Sequence, residues 1–348
     1  MAEKLTVKLF LEKAVSIPVL DVRSPGEYKQ GHIPGAISFP LFSDEERKVV
    51  GTLYKQSGHE PAFLAGLEIV GPKMSAFVRE AVLICPEKQV AVHCWRGGMR
   101  SSSMAWLLET AGFKVSILIG GYKSFRQSVL NDTPFDGPFL VLGGYTGSGK
   151  TPVLHGLALK GEQVLDLENL AHHKGSVFGG LDEVEQPTQE QFENEIFSFL
   201  NSCDSNRFVW IEDESKAIGR LRVPNDVYDK LRSSSLIFLE QSREARLKRI
   251  EMLYGNANPE ILCEFIKKLA RRLGGLRLKN ALEAINSGDI SEAASVVLEY
   301  YDRSYLHGLE LRESEKSFIL NCSEVEESGI PDLLLQKAVE LFPEIDEI

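Results

Sequence analysis

The chain has 348 residues, a net charge of −11, and 43% hydrophobic against 26% charged side chains. That length exceeds one comfortable core and suits two domains; the acidic balance excludes non-specific nucleic-acid binding by the surface as a whole. No run approaches the ~20 apolar residues of a membrane span and the opening MAEKLTVKLF has no apolar leader core, so a cytoplasmic protein without membrane contact is expected. Five scattered cysteines without CxxC spacing fit neither a disulfide framework nor a zinc site and suit a reducing compartment.

In chain order, IPVLDVR (17–23), QVAVHC (89–94) and KVSILIGG (114–121) read as strands. Between the last two, residues 100–112 show helical spacing of Met104, Leu107, Leu108 and Ala111, closed by Gly112. Strand, helix and strand in repetition imply a parallel sheet with helices on its faces. NDTPFDGP (131–138) is a linker by composition, two prolines and a glycine among polar turn formers. The pattern then restarts with FLVLGGYTGSGKT (139–151), and QVLDLE, RFVWIED, SLIFLEQ and SFILNC are further strands. TQEQFENEIFSFLN is a helix with Phe192, Ile196, Phe199 and Leu200 on one face. Residues 243–303 read as helical, broken near Gly255–Pro259 and Gly274–Gly275. The expected organisation is a domain over 1–130, a linker over 131–138 and a second α/β domain over 139–348.

Residues 243–280 hold ten Lys and Arg against four acids, a local charge of +6. A basic helical segment on an acidic protein suits a phosphate backbone, and equally a solvated helix face.

Gly144-Tyr-Thr146-Gly147-Ser148-Gly149-Lys150-Thr151 satisfies GxxxxGK[ST] after an apolar strand. Its glycines let backbone N–H groups turn inward around phosphates at a helix N-terminus. Lys150 reaches the terminal phosphates and Thr151 a Mg²⁺ ion. Glu212 and Asp213, ending the FVWIED strand, are the acids expected near that ion. The motif admits a nucleoside triphosphate or any diphosphate.

Cys94 ends a strand and precedes a helix, and Arg100 follows after five intervening residues. Backbone N–H groups, Arg96 and Arg100 suit a thiolate and a tetrahedral oxyanion, and Gly97 and Gly98 let the backbone curl around it. The spacing by itself fits a phosphatase nucleophile as well as a sulfur carrier. His93 is read as a packed residue.

LDVRSPGEYKQGHIPGAISFPL (20–41) is similar to the opening signature of rhodanese domains in its Asp21, Arg23, Glu27, Tyr28, Gly31, His32, Pro34 and Gly35. The loop of five residues between Cys94 and Arg100 is one longer than the sulfurtransferase loop and resembles the dual-specificity phosphatases of that fold, with room for a phosphate-sized anion. With HCWRGGMRS, LGGYTGSGKT, LDLENLAHHKGSVFGG, QPTQEQFENEIF and WIEDES in that order, the chain resembles the tRNA 2-selenouridine synthases. The resemblance implies a rhodanese-like parallel-sheet domain, then a P-loop NTPase-like α/β domain with a helical C-terminal part. It implies S-geranylation of wobble 2-thiouridine in tRNA from geranyl diphosphate, then exchange of the geranylthio group for selenium from selenophosphate.

On that resemblance, Cys94 is catalytic, accepting or relaying selenium, with Arg96, Gly97, Gly98 and Arg100 cradling selenophosphate. Gly144, Thr146, Gly147, Ser148, Gly149, Lys150 and Thr151 hold the diphosphate. His172, His173, Lys174, Lys267, Lys268, Arg271 and Arg272 are candidate tRNA contacts. Selenophosphate and geranyl diphosphate are substrates, no cofactor is tightly bound, Mg²⁺ is compatible, and an enzyme supplying selenophosphate is an expected partner. The competing readings are a sulfurtransferase or phosphatase with a nucleotide-binding domain, and a P-loop kinase or ATPase carrying a degenerate rhodanese module.

Overall fold

The structure is a computed structural model that describes residues 2–131, 135–173, 185–310 and 312–343. The chain divides into two compact units, residues 1–133 with 193–198, and residues 134–192 with 199–348.

The first unit is built on five parallel strands, β1 (Glu3–Leu5), β2 (Val19–Asp21), β3 (Ile37–Ser38), β4 (Gln89–His93) and β5 (Lys114–Leu118), in the order β1-β5-β4-β2-β3. β4 and β5 are buried along nearly their whole length, as strands covered on both faces must be. The rhodanese-like signature has structural work here. Asp21 and Arg23 form a fully buried pair at 2.5 Å, and the Arg23 guanidinium lies 3.8 Å from the Tyr122 ring. The same Nη2 also donates to the Gly31 carbonyl at 2.7 Å, so the Asp21 carboxylate and this carbonyl together offset the cost of burying the cation.

Between β3 and β4 the chain makes a helical excursion that sequence reasoning left unassigned: Asp44–Ser57, His59–Val70 and Met74–Ile84. Ser43 and Glu46 cap the first helix reciprocally, and Gly58, at φ +88°, separates it from the second. Val49, Tyr54, Phe63, Leu64 and Leu67 on these helices remain exposed.

The second unit repeats the plan with β6 (Phe139–Gly144), β7 (Gln163–Leu165), β8 (Val209–Glu212), β11 (Ser235–Glu240) and β12 (Ser317–Asn321), all parallel, in the order β12-β11-β6-β8-β7. A short antiparallel pair, β9 (Ala217–Ile218) and β10 (Leu221–Arg222), stands apart. The basic region is more divided than its composition suggested: helices run Arg243–Tyr254, Pro259–Lys268, Ala270–Leu273, Gly275–Asn286 and Ile290–Glu310. The extra breaks fall at residues 287–289 and at Leu269, which turns into a core shared with Ile266, Leu273, Ile285 and Val297.

Both central strands, β4 and β6, deliver a glycine-rich loop at their C-terminal ends, where open parallel sheets bind ligands.

Candidate functional site

Cys94 is buried at the end of β4, and its Sγ lies 3.3 Å from Ser101 Oγ, whose own proton goes to the Gly98 carbonyl at 3.0 Å. A hydroxyl so placed accepts from a thiol or, rotated, donates to a thiolate. The loop curls through Gly97 at φ +64°, and helix Met99–Thr110 starts immediately after Gly98. Its other support comes from the turn after β5. Tyr122 and Lys123 donate backbone hydrogen bonds to the Cys94 and Trp95 carbonyls at 2.8 and 3.0 Å. Gly121 is a required glycine there: at φ +64° an added Cβ would stand 2.3 Å from the Cys94 carbonyl oxygen and 2.5 Å from the Gly97 nitrogen.

Arg100 does not reach out alone. It donates two hydrogen bonds, 2.6 and 3.2 Å, to Glu27, a signature residue that also accepts from the Ser24 N–H in its helix cap. Burial pushes the Glu27 carboxyl up, but Arg100 and Ser24 outweigh it and hold the group below its ordinary range. Arg100 is thereby fixed as a planar fork before any anion arrives. His93 is fully buried against Phe10 and Tyr122, and burial drops its pKa to about 4, so it is neutral and structural.

In the second unit the loop after β6 takes the form expected of a phosphate cradle. Gly147 and Gly149 sit at φ +81° and +88°, and the helix Lys150–Leu159 begins at the loop's end. Lys150 is buried, donates to the Gly144 carbonyl at 3.0 Å and stands 3.6 Å from Glu212. Burial alone would lower its pKa, yet Tyr305, Glu212, Glu214 and Glu168 together hold it above the usual lysine range. Among the described residues, Ser148 Oγ and Glu212 Oε2 are buried without a hydrogen-bond partner. Such orphans are costly in a finished interior and mark a place for a ligand.

The acids differ from expectation in one respect. Glu212 does face the loop, but Asp213 turns away to pair with Arg232 at 3.1 Å and Arg312 at 2.7 Å, because successive side chains at a strand end point to opposite faces. Glu168 and Glu214, not singled out by the sequence, complete the cluster: carboxylate oxygens of Glu168, Glu212 and Glu214 lie within 4.8 Å of one another. Thr151 Oγ1 donates to Glu168 at 3.3 Å. Burial first, then the neighbouring acids, raise Glu212 well above the carboxylate range and Glu214 to about 8.

Two arginines of the basic region serve this loop. Arg246 is buried, donates to the Thr146 carbonyl at 3.0 Å and forks onto Asp302; Arg249 donates to the Gly147 carbonyl at 2.8 Å. Beside Thr146 opens an apolar cavity of about 50 Å³, lined by Ile250, Leu262, Ile266, Ile285 and Val297 among others.

Residues 5–128 match the rhodanese-like domain model, and residues 137–261 match the model described as the tRNA 2-selenouridine synthase AAA domain. The tRNA 2-selenouridine synthase of Shewanella halifaxensis is 33% identical over 86% of this chain and 91% of its own. That of Bordetella petrii is 35% identical over 86% of this chain and 88% of its own. The chain belongs to the tRNA 2-selenouridine synthase family. Neither the plain sulfurtransferase or phosphatase nor the kinase reading is favoured by these relatives.

In this selenouridine synthase family member the basic residues divide by role. Lys267, Lys268, Arg271 and Arg272 are exposed and make no ion pair among the described residues. Lys268 lies near enough to His173 that, after burial, its charge helps lower the histidine pKa, so two groups distant in sequence converge. His172 Nδ1 donates to the Glu185 carbonyl, 3.1 Å away, and Lys174 lies outside the described residues.

Proposed function

We propose that the chain acts on a wobble 2-thiouridine of tRNA in two steps, S-geranylation from geranyl diphosphate and then selenation from selenophosphate. The observation that carries the first step is the meeting, at Thr146, of a phosphate cradle with a cavity whose polar lining is limited to Thr146, Tyr254 and Tyr301. Only an amphiphilic phosphate uses both. The cavity is too small for a whole geranyl chain, so Ile266 and Val297 must separate when the chain enters. Lys150 stabilises the charge that gathers on the departing diphosphate. The sulfur–carbon bond forms, the geranyl carbon–oxygen bond breaks, and the uridine N3 proton is released.

Glu168, Glu212 and the Thr151 hydroxyl fit a Mg²⁺ ion, since the buried Glu212 oxygen lacks a partner among the described residues and the donors are hard oxygens. Such an ion would neutralise diphosphate charge.

In the second step selenium bonds to C2, the C2–sulfur bond breaks, and geranylthiol leaves while N3 regains a proton. Selenium stays at the selenide level throughout. Transfer of selenium to the Cys94 sulfur would leave phosphorus reduced or demand an oxidant. Attack of the Cys94 thiolate on phosphorus instead frees selenide and leaves an S-phosphocysteine that water opens to phosphate. The Ser101 hydroxyl, 3.3 Å from Sγ, can steady the sulfur as it departs. An enzyme that makes selenophosphate is the supplier this reaction needs.

The test is a reconstitution with 2-thiouridine tRNA, geranyl diphosphate and selenophosphate, each omitted in turn, read by nucleoside mass. Cys94→Ser is expected to geranylate without selenating, and Lys150→Ala to do neither. Normal selenation by Cys94→Ser would overturn the role of the cysteine; selenation without geranyl diphosphate would overturn the two-step order.

A further inference from the structure

A groove of about 900 Å³ runs beside Cys94 within the first unit, walled by helices Asp44–Ser57 and His59–Val70 on one side and by the cysteine loop on the other. Its size is that of sites for drug-sized ligands. Its floor is apolar: Leu41 and Phe42 are buried beneath it, while Tyr54, Phe63, Leu67 and Met99 are between 43% and 57% exposed. Large apolar side chains gathered in a concave surface mark a binding site.

The rim has the opposite character. Arg47, Lys48, Lys55, Arg96 and Arg100 line it with a single acid, Asp44, whose carboxylate already accepts from the Gly26 N–H at 2.9 Å. Arg47 and Arg100 are partly neutralised by Glu27, whereas Lys48, Lys55 and Arg96 make no ion pair among the described residues. An apolar trough with a positive edge is complementary to a hydrocarbon chain carried on a polyanion.

We propose that this groove binds the alkylated wobble nucleotide of RNA, the hydrocarbon on its sulfur lying against Phe63 and Leu67 and the flanking phosphates meeting the basic rim. The inference rests on the two-step reading above and adds what that reading lacks, a means of choosing alkylated over unalkylated RNA. C2 of the base is then presented to the loop that releases selenide. Because the chain departs with sulfur as a thiol, its contacts with the groove are lost from the RNA once selenium is in place, and product RNA dissociates more readily than substrate.

Binding without turnover tests this. Anticodon stem-loop RNAs bearing S-geranyl- or S-methyl-2-thiouridine are titrated against the full chain by fluorescence anisotropy, with no selenophosphate present. The wild-type chain should prefer the S-geranyl RNA at least tenfold. The double variant Phe63→Ser, Leu67→Ser should bring that ratio near unity, the S-methyl affinity serving as internal reference; both side chains are substantially exposed, and thermal melting verifies folding. Absence of a preference in the wild type, or its persistence in the variant, would overturn the groove. A concentration-dependent dimer in sedimentation that the variant abolishes would also overturn it, by showing that a second copy covers this face. S-geranyl preference without selenation, once selenophosphate is added, would sink the two-step reading and leave the groove standing.

Discussion

Gly121 lies outside every motif, yet Gly121→Ala is expected to be among the most damaging single changes in the first unit. At φ +64° a residue with a Cβ costs about 1–2 kcal/mol over glycine. The new carbon would also meet the Cys94 oxygen at 2.3 Å, the Gly97 nitrogen at 2.5 Å and the Arg96 nitrogen at 2.8 Å. All three are backbone atoms, so no side chain can swing aside and the cysteine loop itself must move. Overpacking of this kind adds about 1–3 kcal/mol, giving roughly 2–5 kcal/mol in total. Against a domain stability of about 5–15 kcal/mol the unit still folds, but its Tm falls by about 10 °C. A loop displacement near 1 Å should cost on the order of 10²-fold in selenation. Gly71→Ala is the control, because Gly71 lies outside the cysteine loop at φ −49° and has nothing within 4 Å of its would-be Cβ. Calorimetry and nucleoside mass analysis of both variants decide the matter. If Gly121→Ala melts and selenates like wild type, the claim that the β5 turn holds the cysteine loop is wrong.

Glu27→Gln should release Arg100 and reduce selenation about tenfold while geranylation continues, measured on the same RNA. Because Arg100 outweighs burial and depresses the Glu27 pKa, that bond's stabilisation is present above the ordinary carboxylate range and lost as pH falls through the depressed value, so the variant's first unit should melt lower than wild type near neutral pH and the gap should close in acid. Glu214 has the opposite sign. Its folded pKa of about 8 lies above the unfolded value near 4.5, so its contribution is full below about pH 4.5 and is lost as pH rises to about 8. Calorimetry of the second unit's transition over that window should show falling stability, by up to a few kcal/mol, and Glu214→Gln should flatten the slope. Reversing Lys267, Lys268, Arg271 and Arg272 should weaken tRNA binding and reduce its log-log salt slope by about 3; an unchanged slope would remove these residues from the interface.

Much of this was legible in the chain. The signature over 20–41, the Cys94–Arg100 loop and the Gly144–Thr151 loop each sit where their flanking strands imply, because buried parallel strands are near-continuous apolar runs and glycines punctuate them. The short edge strand β1 and the helical excursion over 44–84 were not, since three strand residues carry little pattern and the excursion's apolar side chains face a groove as well as a core. Asp213 looked as good a ligand as Glu212, and one position of strand alternation separated them.

The sequence by itself determined the two glycine-rich loops and the family, because chemistry that needs glycine, lysine, cysteine or arginine at fixed spacing leaves a local record. The tertiary structure alone decided what surrounds each loop. Glu27 meets Arg100 across 73 positions, Arg246 reaches Thr146 across 100, Glu168 joins Glu212, and Phe63 comes to line the same groove as Cys94. Such partners are chosen by which sheet edge or helix face the fold brings near, and no local spacing encodes them.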